Sequence, residues 1–146
     1  MDKINSAYAI QDFQNKSTKA INDAKGLKNQ QALKKVSEEQ LKILRNKDKL
    51  TQYDVDRANK MLELEKARLA LEEARQNKTS LRLKRDSQGN YSYQYVSDNN
   101  KILETQEALA KAQNELFNFD TQKYKDNLKE VSEAWKEYQE KVRSIL

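Results

Sequence analysis

The hydrophobic pattern of this chain departs from helical spacing in one segment, and that departure constrains the fold more than any other feature. Apolar residues recur at helical spacing up to about residue 78 and again from residue 98. Over residues 80–97 they instead alternate with polar residues at a spacing of two, which is typical of a β-hairpin. The two ends of a β-hairpin lie side by side, so the helices that flank it must run antiparallel. The sequence therefore predicts a helical hairpin with a small β-hairpin at its tip.

The turn of this β-hairpin is indicated by the sequence Asp-Ser-Gln-Gly at residues 86–89. Such a sequence suits a type I turn followed by glycine in the left-handed conformation. The turn sets a register in which the numbers of paired residues sum to 176, as in Leu81 with Tyr95. One face of the hairpin, here called the tyrosine face, then contains Leu81, Leu83, Arg85, Tyr91, Tyr93 and Tyr95. The opposite face contains Arg82, Lys84, Ser92 and Gln94.

The composition favours long helices over a compact globule. The chain has 146 residues, of which 36% are hydrophobic, with no proline and only two glycines. That apolar share is too small for an ordinary globular core, but it is enough for helices that bury only a stripe. We therefore predict a mainly α fold, either an antiparallel helical hairpin or a three-helix coiled-coil bundle, with a two-stranded β-hairpin at the tip.

The chain divides into an N-terminal helical arm, residues 1–50, and the helical hairpin, residues 51–146. Within the second part we expect a helix at 51–78, the β-hairpin at 80–97 and a helix at 98–146. Thr51 followed by Asp54 resembles a capping box, which favours a break between residues 46 and 53. Gly26 marks a weak point within the arm. Because the arm is basic and the last helix is acidic, the arm is expected to lie along that helix as a third strand of the bundle.

The middle helix carries two apolar rows, which together make a face wide enough for two partners. The first row contains Ala58, Leu62 and Leu69. The second row contains Leu64, Ala67, Leu71 and Ala74.

The last helix carries two apolar stripes that differ in phase. The first consists of Ile102, Thr105, Leu109, Ala112, Leu116 and Phe119. The second, here called the C-terminal seam, consists of Tyr124, Leu128, Val131, Trp135, Tyr138 and Val142, with Ile145 continuing its spacing. Steps of four and three alternate along the seam, as in a coiled coil. Between residues 117 and 124 the stripe must rotate, as at a stutter, or the helix must change partner.

The residue types exclude several kinds of chemistry. The chain contains neither histidine nor cysteine, which excludes a histidine-based triad, a thiolate nucleophile and the usual zinc sites. Carboxylate pairs such as Asp54 and Asp56 lie on predicted helices, and nothing places two of them in a pocket. No Gly-rich phosphate loop occurs. We therefore expect no enzyme activity, no catalytic residue, no metal ligand and no cofactor. No apolar run approaches the ~18 residues needed to cross a bilayer, so no membrane contact is expected of this segment.

The tyrosine face and the C-terminal seam are the two apolar surfaces on which the sequence offers sites for protein–protein contact. The residues expected to make such contacts are Leu81, Leu83, Tyr91, Tyr93, Tyr95, Tyr124, Leu128, Val131, Trp135, Tyr138 and Val142. The tyrosine face has a simpler alternative, in which it folds onto the helix ends as a local core. Nucleic-acid binding would use Arg82, Lys84 and Arg85 beside the tyrosines. The small size of this basic cluster, and the two leucines among the tyrosines, argue against it.

About half of the chain resembles segments of bacteriophage tail tape-measure proteins and related large virion structural proteins. The resemblance lies between residues 50 and 119, in the elements "LTQYDVDRAN", "ALEEA" and "LRLKRDSQGNYSYQY" and in the following helix that starts with aspartate. It implies a long, mainly helical protein that runs along the inside of the tail tube and sets its length. Because tape-measure chains are far longer than 146 residues, it also implies that this chain is a fragment. The transmembrane-like segments and peptidase motifs of some members are absent here.

The resemblance and the heptad spacing together lead to one expected role. The chain would be a structural, self-associating coiled-coil segment that acts in tail assembly, with itself and other tail proteins as partners. Its location would be the virion tail, assembled in the host cytoplasm. The alternative is a helical adaptor whose β-hairpin tip binds a protein or nucleic-acid partner.

Overall fold

A computed structural model describes residues 5–145 of the chain, so the predictions that concern residues 1–4 and Leu146 lie outside the described residues. The elements, in order, are α1 (Ser6–Asp23), α2 (Leu27–Arg45), α3 (Gln52–Gln76), β1 (Ser80–Arg85), β2 (Tyr91–Val96) and α4 (Asn99–Ile145). The predicted fold class is confirmed, since the described chain is mainly helical with one two-stranded antiparallel sheet.

The N-terminal arm folds as two helices with a sharp turn at Gly26. α1 starts after Asn5, whose side chain accepts a hydrogen bond from the backbone N–H of Tyr8 at 3.3 Å. α2 starts after Gly26, whose φ of 86° and ψ of 149° suit glycine far better than other residues. The predicted weak point in the arm is therefore a helix boundary.

The predicted break between the arm and the middle helix is also confirmed. α2 ends at Arg45, and α3 begins at Gln52 with Thr51 as its N-cap. The capping box is complete, because Asp54 Oδ2 accepts from the backbone N–H of Thr51 at 3.0 Å and the Thr51 hydroxyl accepts from the N–H of Asp54. The Lys47 ammonium also binds Asp54, which ties the connecting loop to the start of α3. The chain thus turns back at this point.

α3 is the central helix, and its two apolar rows face different partners as predicted. The first row joins the main core, which contains Phe13, Ala20, Leu33, Leu44, Leu50, Val55, Ala58, Leu62 and Leu69. From the second row, Leu71 and Ala74 are buried but lie outside that core. Since α3 packs against α4 as well as against α1 and α2, the second row serves the α4 contact.

The arm packs on α3 and not along the last helix, so the expectation drawn from charge is wrong. Within residues 5–145, α1 and α2 contact each other and α3, whereas α4 contacts α3 alone among the helices. Apolar burial decides the position, because the first row of α3 offers the arm an apolar surface while exposed opposite charges contribute little. One basic residue of the arm, Lys28, pairs with Glu72 of α3 at 3.3 Å, in an exposed position.

α4 is much longer than its partner. Its 47 residues give a length of about 70 Å, whereas the 25 residues of α3 span about 37 Å. The two helices run antiparallel from the β-hairpin, so α4 passes the first residues of α3 near Asp120. The remaining part of α4 continues beyond the bundle.

Candidate interaction surfaces

The β-hairpin has the predicted register and turn. Leu81 pairs with Tyr95, and Arg85 pairs with Tyr91. The Gly89 N–H donates to the carbonyl of Asp86 at 3.2 Å, and Gly89 has a φ of 83°, which only glycine adopts easily. The Asp86 carboxylate holds the loop by accepting from the backbone N–H groups of Gln88 at 2.9 Å and Asn90 at 2.8 Å.

The tyrosine face is open to solvent. Tyr91, Tyr93 and Tyr95 are each exposed by more than 60%, and Leu81 and Leu83 by more than 50%. No part of this face is covered by the helix ends, which overturns the alternative that it forms a local core. The geometry gives the reason, because the strands project beyond the bundle and meet it only at their ends, where the Ser97 hydroxyl donates to the carbonyl of Arg75 at 2.7 Å.

The basic side chains of the hairpin divide between its two faces. Arg82 and Lys84 share the face opposite the tyrosines, because residues of a strand alternate between faces. Arg85 lies with the tyrosines, and its guanidinium sits 5.7 Å from the centre of the Tyr91 ring. The cluster predicted for nucleic acid is thereby split, with a single arginine beside the rings on which bases would stack.

A polar and aromatic cluster, here called the junction, fixes the point where α4 leaves α3. Arg57 of α3 donates from Nε and Nη2 to the two carboxylate oxygens of Asp120 at 3.0 and 3.2 Å. The Tyr53 hydroxyl donates to Asp120 Oδ1 at 2.8 Å. The Tyr53 ring stacks on Phe119 with 4.8 Å between centroids and planes 1° apart. These four residues bind the two helices in one register.

The contacts at the junction shift the pKa values of Asp120 and Tyr53. The Arg57 guanidinium, followed by the Tyr53 hydroxyl, lowers the pKa of Asp120 against the smaller opposing effect of burial. Burial, followed by the hydrogen bond to Asp120, raises the pKa of Tyr53. Two lysines close the cluster over the aromatic faces, with Lys60 Nζ 5.3 Å from the Phe119 centroid and Lys123 Nζ 5.1 Å from the Tyr53 centroid.

Beyond the junction, residues 124–145 of α4 form what is here called the free segment. Every residue in this range is exposed, including all six of the C-terminal seam. Trp135 is 61% exposed and touches Tyr138, with ring centroids 5.6 Å apart. By contrast, the first stripe of α4, from Ile102 to Phe119, is half-buried or buried at every position. A stripe of large apolar side chains therefore remains without a partner in the described chain.

The phase change predicted between residues 117 and 124 coincides with the loss of the partner helix. Half-burial on α4 stops at Lys123, next to the first turn of α3. A continued first stripe would place its next members at residues 123 and 126, whereas the C-terminal seam starts at Tyr124. The next seam member, Leu128, lies two residues past the corresponding position 126, so the centre of the seam is turned by about 150° around the helix. The free segment is therefore patterned for a neighbour other than α3.

Within residues 5–145 there is no group of three or more side chains able to hold a metal ion, and no helix with the apolar length needed to span a bilayer. The chain matches no protein-family model, no curated protein and no solved structure. Function is therefore indicated by the geometry of the exposed surfaces and by the resemblance of residues 50–119.

The pattern of the sequence did not identify the junction as a structural feature. Tyr53 and Arg57 lie one helical turn apart on α3, and Phe119 and Asp120 are adjacent on α4, but nothing local connects the pairs. The one sequence feature that points to the junction is the change of phase between the two apolar stripes of α4. A stripe that breaks at Phe119 indicates that the partner helix ends there, which places the residues around Phe119 opposite the start of α3.

Proposed function

We propose that this protein is a structural, self-associating helical segment that acts in the assembly of a phage tail, in the manner of tape-measure proteins. The observation that carries self-association is the free segment, where a heptad stripe runs along a helix that has no partner in the described chain. The assignment to a tail is supported by the resemblance of residues 50–119.

The C-terminal seam is large enough to hold two copies together. Burying a Val, Leu or Phe-sized side chain contributes about 1.5–3 kcal/mol, and each copy would contribute the six members of the seam. Association costs about 4–15 kcal/mol in lost translational and rotational entropy. The apolar gain exceeds this cost even when part of each side chain is already shielded by its own helix.

Sedimentation of the whole chain over a range of concentrations tests this proposal. The wild-type protein is expected to form a defined oligomer, and Val131→Lys is expected to shift it to monomer, because a lysine replaces valine at the middle of the seam. The control is Glu133→Lys, which adds a lysine two residues away on the outer face. A monomeric wild-type protein at every concentration, or an oligomer indifferent to Val131→Lys, would contradict self-association through this seam.

A helical adaptor is the second candidate function, and the open tyrosine face favours it. Three exposed tyrosines on a hairpin that projects from the bundle are typical of an interface core, which would take a protein partner. For a nucleic-acid partner the contacts would come from Arg82, Lys84 and Arg85. Fluorescence anisotropy with single-stranded DNA separates the two, since phosphate binding weakens steeply as salt is raised.

The DNA experiment has a matched control in the chain. A double variant, Arg82→Gln with Lys84→Gln, would abolish salt-dependent binding to the hairpin. Lys129→Gln, on the exposed free segment, would leave it unchanged. Absence of binding by the wild-type protein at low salt would leave only a protein partner for the tyrosine face.

A further inference from the structure

We propose that two copies of this chain pair through the free segment in an antiparallel arrangement, with the register in which the numbers of facing residues sum to 266. This inference rests on the proposed self-association and adds its direction and its register. It places Tyr124 against Val142, Leu128 against Tyr138 and Val131 against Trp135, and then repeats these contacts by two-fold symmetry.

The sizes of the seam residues favour this direction. In the antiparallel register each aromatic residue faces an aliphatic one, so every layer combines a large and a small side chain. In a parallel pair each residue would face its own copy. Trp135 would meet Trp135 and Val131 would meet Val131, so some layers would be crowded and others loosely packed. Interiors pack to a nearly constant density, and only the antiparallel arrangement supplies that from these residues.

The charges agree with the same direction. The first half of the free segment, residues 124–134, has two basic and three acidic residues, and the second half, residues 135–145, has three basic and two acidic. An antiparallel pair sets the acidic half of one copy against the basic half of the other. Residues that flank the seam pair one step away from the seam register, so their numbers sum to 264 on one side and to 268 on the other. Lys125 would face Gln139 and Lys141 would face Asn127, while Lys125 and Lys141 themselves would lie on opposite sides of the seam, so no like charges meet.

The length of the free segment matches the overlap that the register requires. Residue 145 of one copy would lie level with residue 121 of the other, and half-burial of α4 by its own bundle ends at Lys123. The paired region would thus occupy the free segment and stop at the junction. The offset of the seam from the first stripe, about 150°, turns it away from the line of α3 and leaves the partner helix room to lie alongside.

The assembly has a mechanical consequence. The two Asp120 residues would be separated by about 26 helical residues, which is about 39 Å at 1.5 Å per residue. The two bundles and their hairpins would therefore stand at opposite ends of a short double-helical rod. Such an assembly presents one tyrosine face at each end, as a spacer between two attachment points would.

Cysteine crosslinking of the full chain tests whether the two helices pair antiparallel. Because the chain has no native cysteine, every disulfide must come from an introduced residue. Each single variant, Tyr124→Cys and Val142→Cys, is oxidised alone and then after mixing with the other, at a concentration where the wild-type protein is an oligomer. Antiparallel pairing predicts a disulfide-linked dimer in the mixture and little in either single variant. The control is Glu133→Cys on the outer face, which should stay unlinked.

The outcomes separate this inference from the proposal beneath it. Val142→Cys that links to itself would establish a parallel pair, and an oligomer in which no mixture links would place the contact elsewhere; either result overturns the register while self-association stands. A wild-type chain that is monomeric by sedimentation at every concentration would overturn both. A mixture that links, with the linked peptide joining residues 124 and 142 in mass spectrometry, supports the inference.

Discussion

Arg57 of α3 and Asp120 of α4 form an ion pair within one helical turn of the point where α4 runs on alone. The guanidinium spans both carboxylate oxygens, at 3.0 and 3.2 Å, and the stacked pair of Tyr53 and Phe119 lies beside it. Directional contacts of this kind set the register of two helices more sharply than apolar packing does. The junction thus determines how much of α4 is left free.

Replacing Asp120 by asparagine is expected to lower stability at neutral pH by about 1 kcal/mol, since both members of the ion pair are more than a third exposed and solvent screens them. The effect should depend on pH. The folded pKa of Asp120 is lowered, so its contribution is complete above the ordinary aspartate range and is lost as the pH falls through the folded value. Urea unfolding at pH 7 and at about pH 2 measures the difference between wild type and variant, which should shrink in acid.

The control for this prediction is Asp126→Asn, six residues further along α4, where the carboxylate accepts a hydrogen bond from Gln122 of the same helix at 2.9 Å. Its stability should match that of the wild type at both pH values. A difference between wild type and Asp120→Asn that stays constant from neutral pH to acid would show that the charge of Asp120 is not what holds the junction.

Thr51→Ala is expected to destabilise the protein by about 2 kcal/mol, since the N-cap hydroxyl accepts one of the free N–H groups at the start of α3. The loss should exceed that of an ordinary cap, because the Thr51 hydroxyl also donates to Asp54 at 2.8 Å. Thermal unfolding followed by circular dichroism measures it. Thr51→Ser keeps the hydroxyl and should retain most of the stability; equal losses in the two variants would exclude the capping box as the cause.

Gly26→Ala is expected to destabilise the bundle by about 1–3 kcal/mol through backbone strain alone. A Cβ at this position would meet no atom within 4 Å, so no steric clash contributes. The cost comes from the positive φ of 86°, which an L-residue rarely adopts. Chemical denaturation of Gly26→Ala beside Lys25→Ala gives the comparison, and a Gly26→Ala protein as stable as its neighbour would indicate that the turn between α1 and α2 adopts another conformation.

Local features of the sequence predicted most of the elements, and the failure lay in long-range pairing. The hairpin register followed from Gly89 and the alternation of side chains, and the start of α3 from Thr51 and Asp54. These signals are local, since the residues concerned lie close together in the chain. The position of the arm required a choice between two partner helices, and net charge was the wrong guide because burial of the first row of α3 outweighs exposed charge.

For the candidate surfaces too, the local pattern could be predicted from the sequence and the long-range packing could not. The spacing of Tyr124 and the residues after it predicted an apolar stripe, but spacing does not tell whether a stripe is covered. That the first stripe of α4 is covered and the C-terminal seam is open follows from the unequal lengths of α3 and α4. Sequence patterns that set helix length, such as the cap at Thr51, therefore decide indirectly which surface is free.

Tyr93→Ser is expected to leave the fold intact, with a change in stability within about 0.5 kcal/mol, because the side chain is 69% exposed and contacts no part of the bundle. Removing the loop residues 86–90 should likewise spare the helices. Circular dichroism measures helix content, and analytical ultracentrifugation of the same samples measures association.

The same variant tests whether the tyrosine face also binds a second copy. If it does, Tyr93→Ser will reduce the size of the oligomer to the one that the C-terminal seam forms by itself. An association state that is unchanged at every concentration would count against the tip as a contact between copies and leave it for a different partner. Leu69→Ser, in the buried row of α3, is the contrasting variant, and it should reduce both helix content and thermal stability.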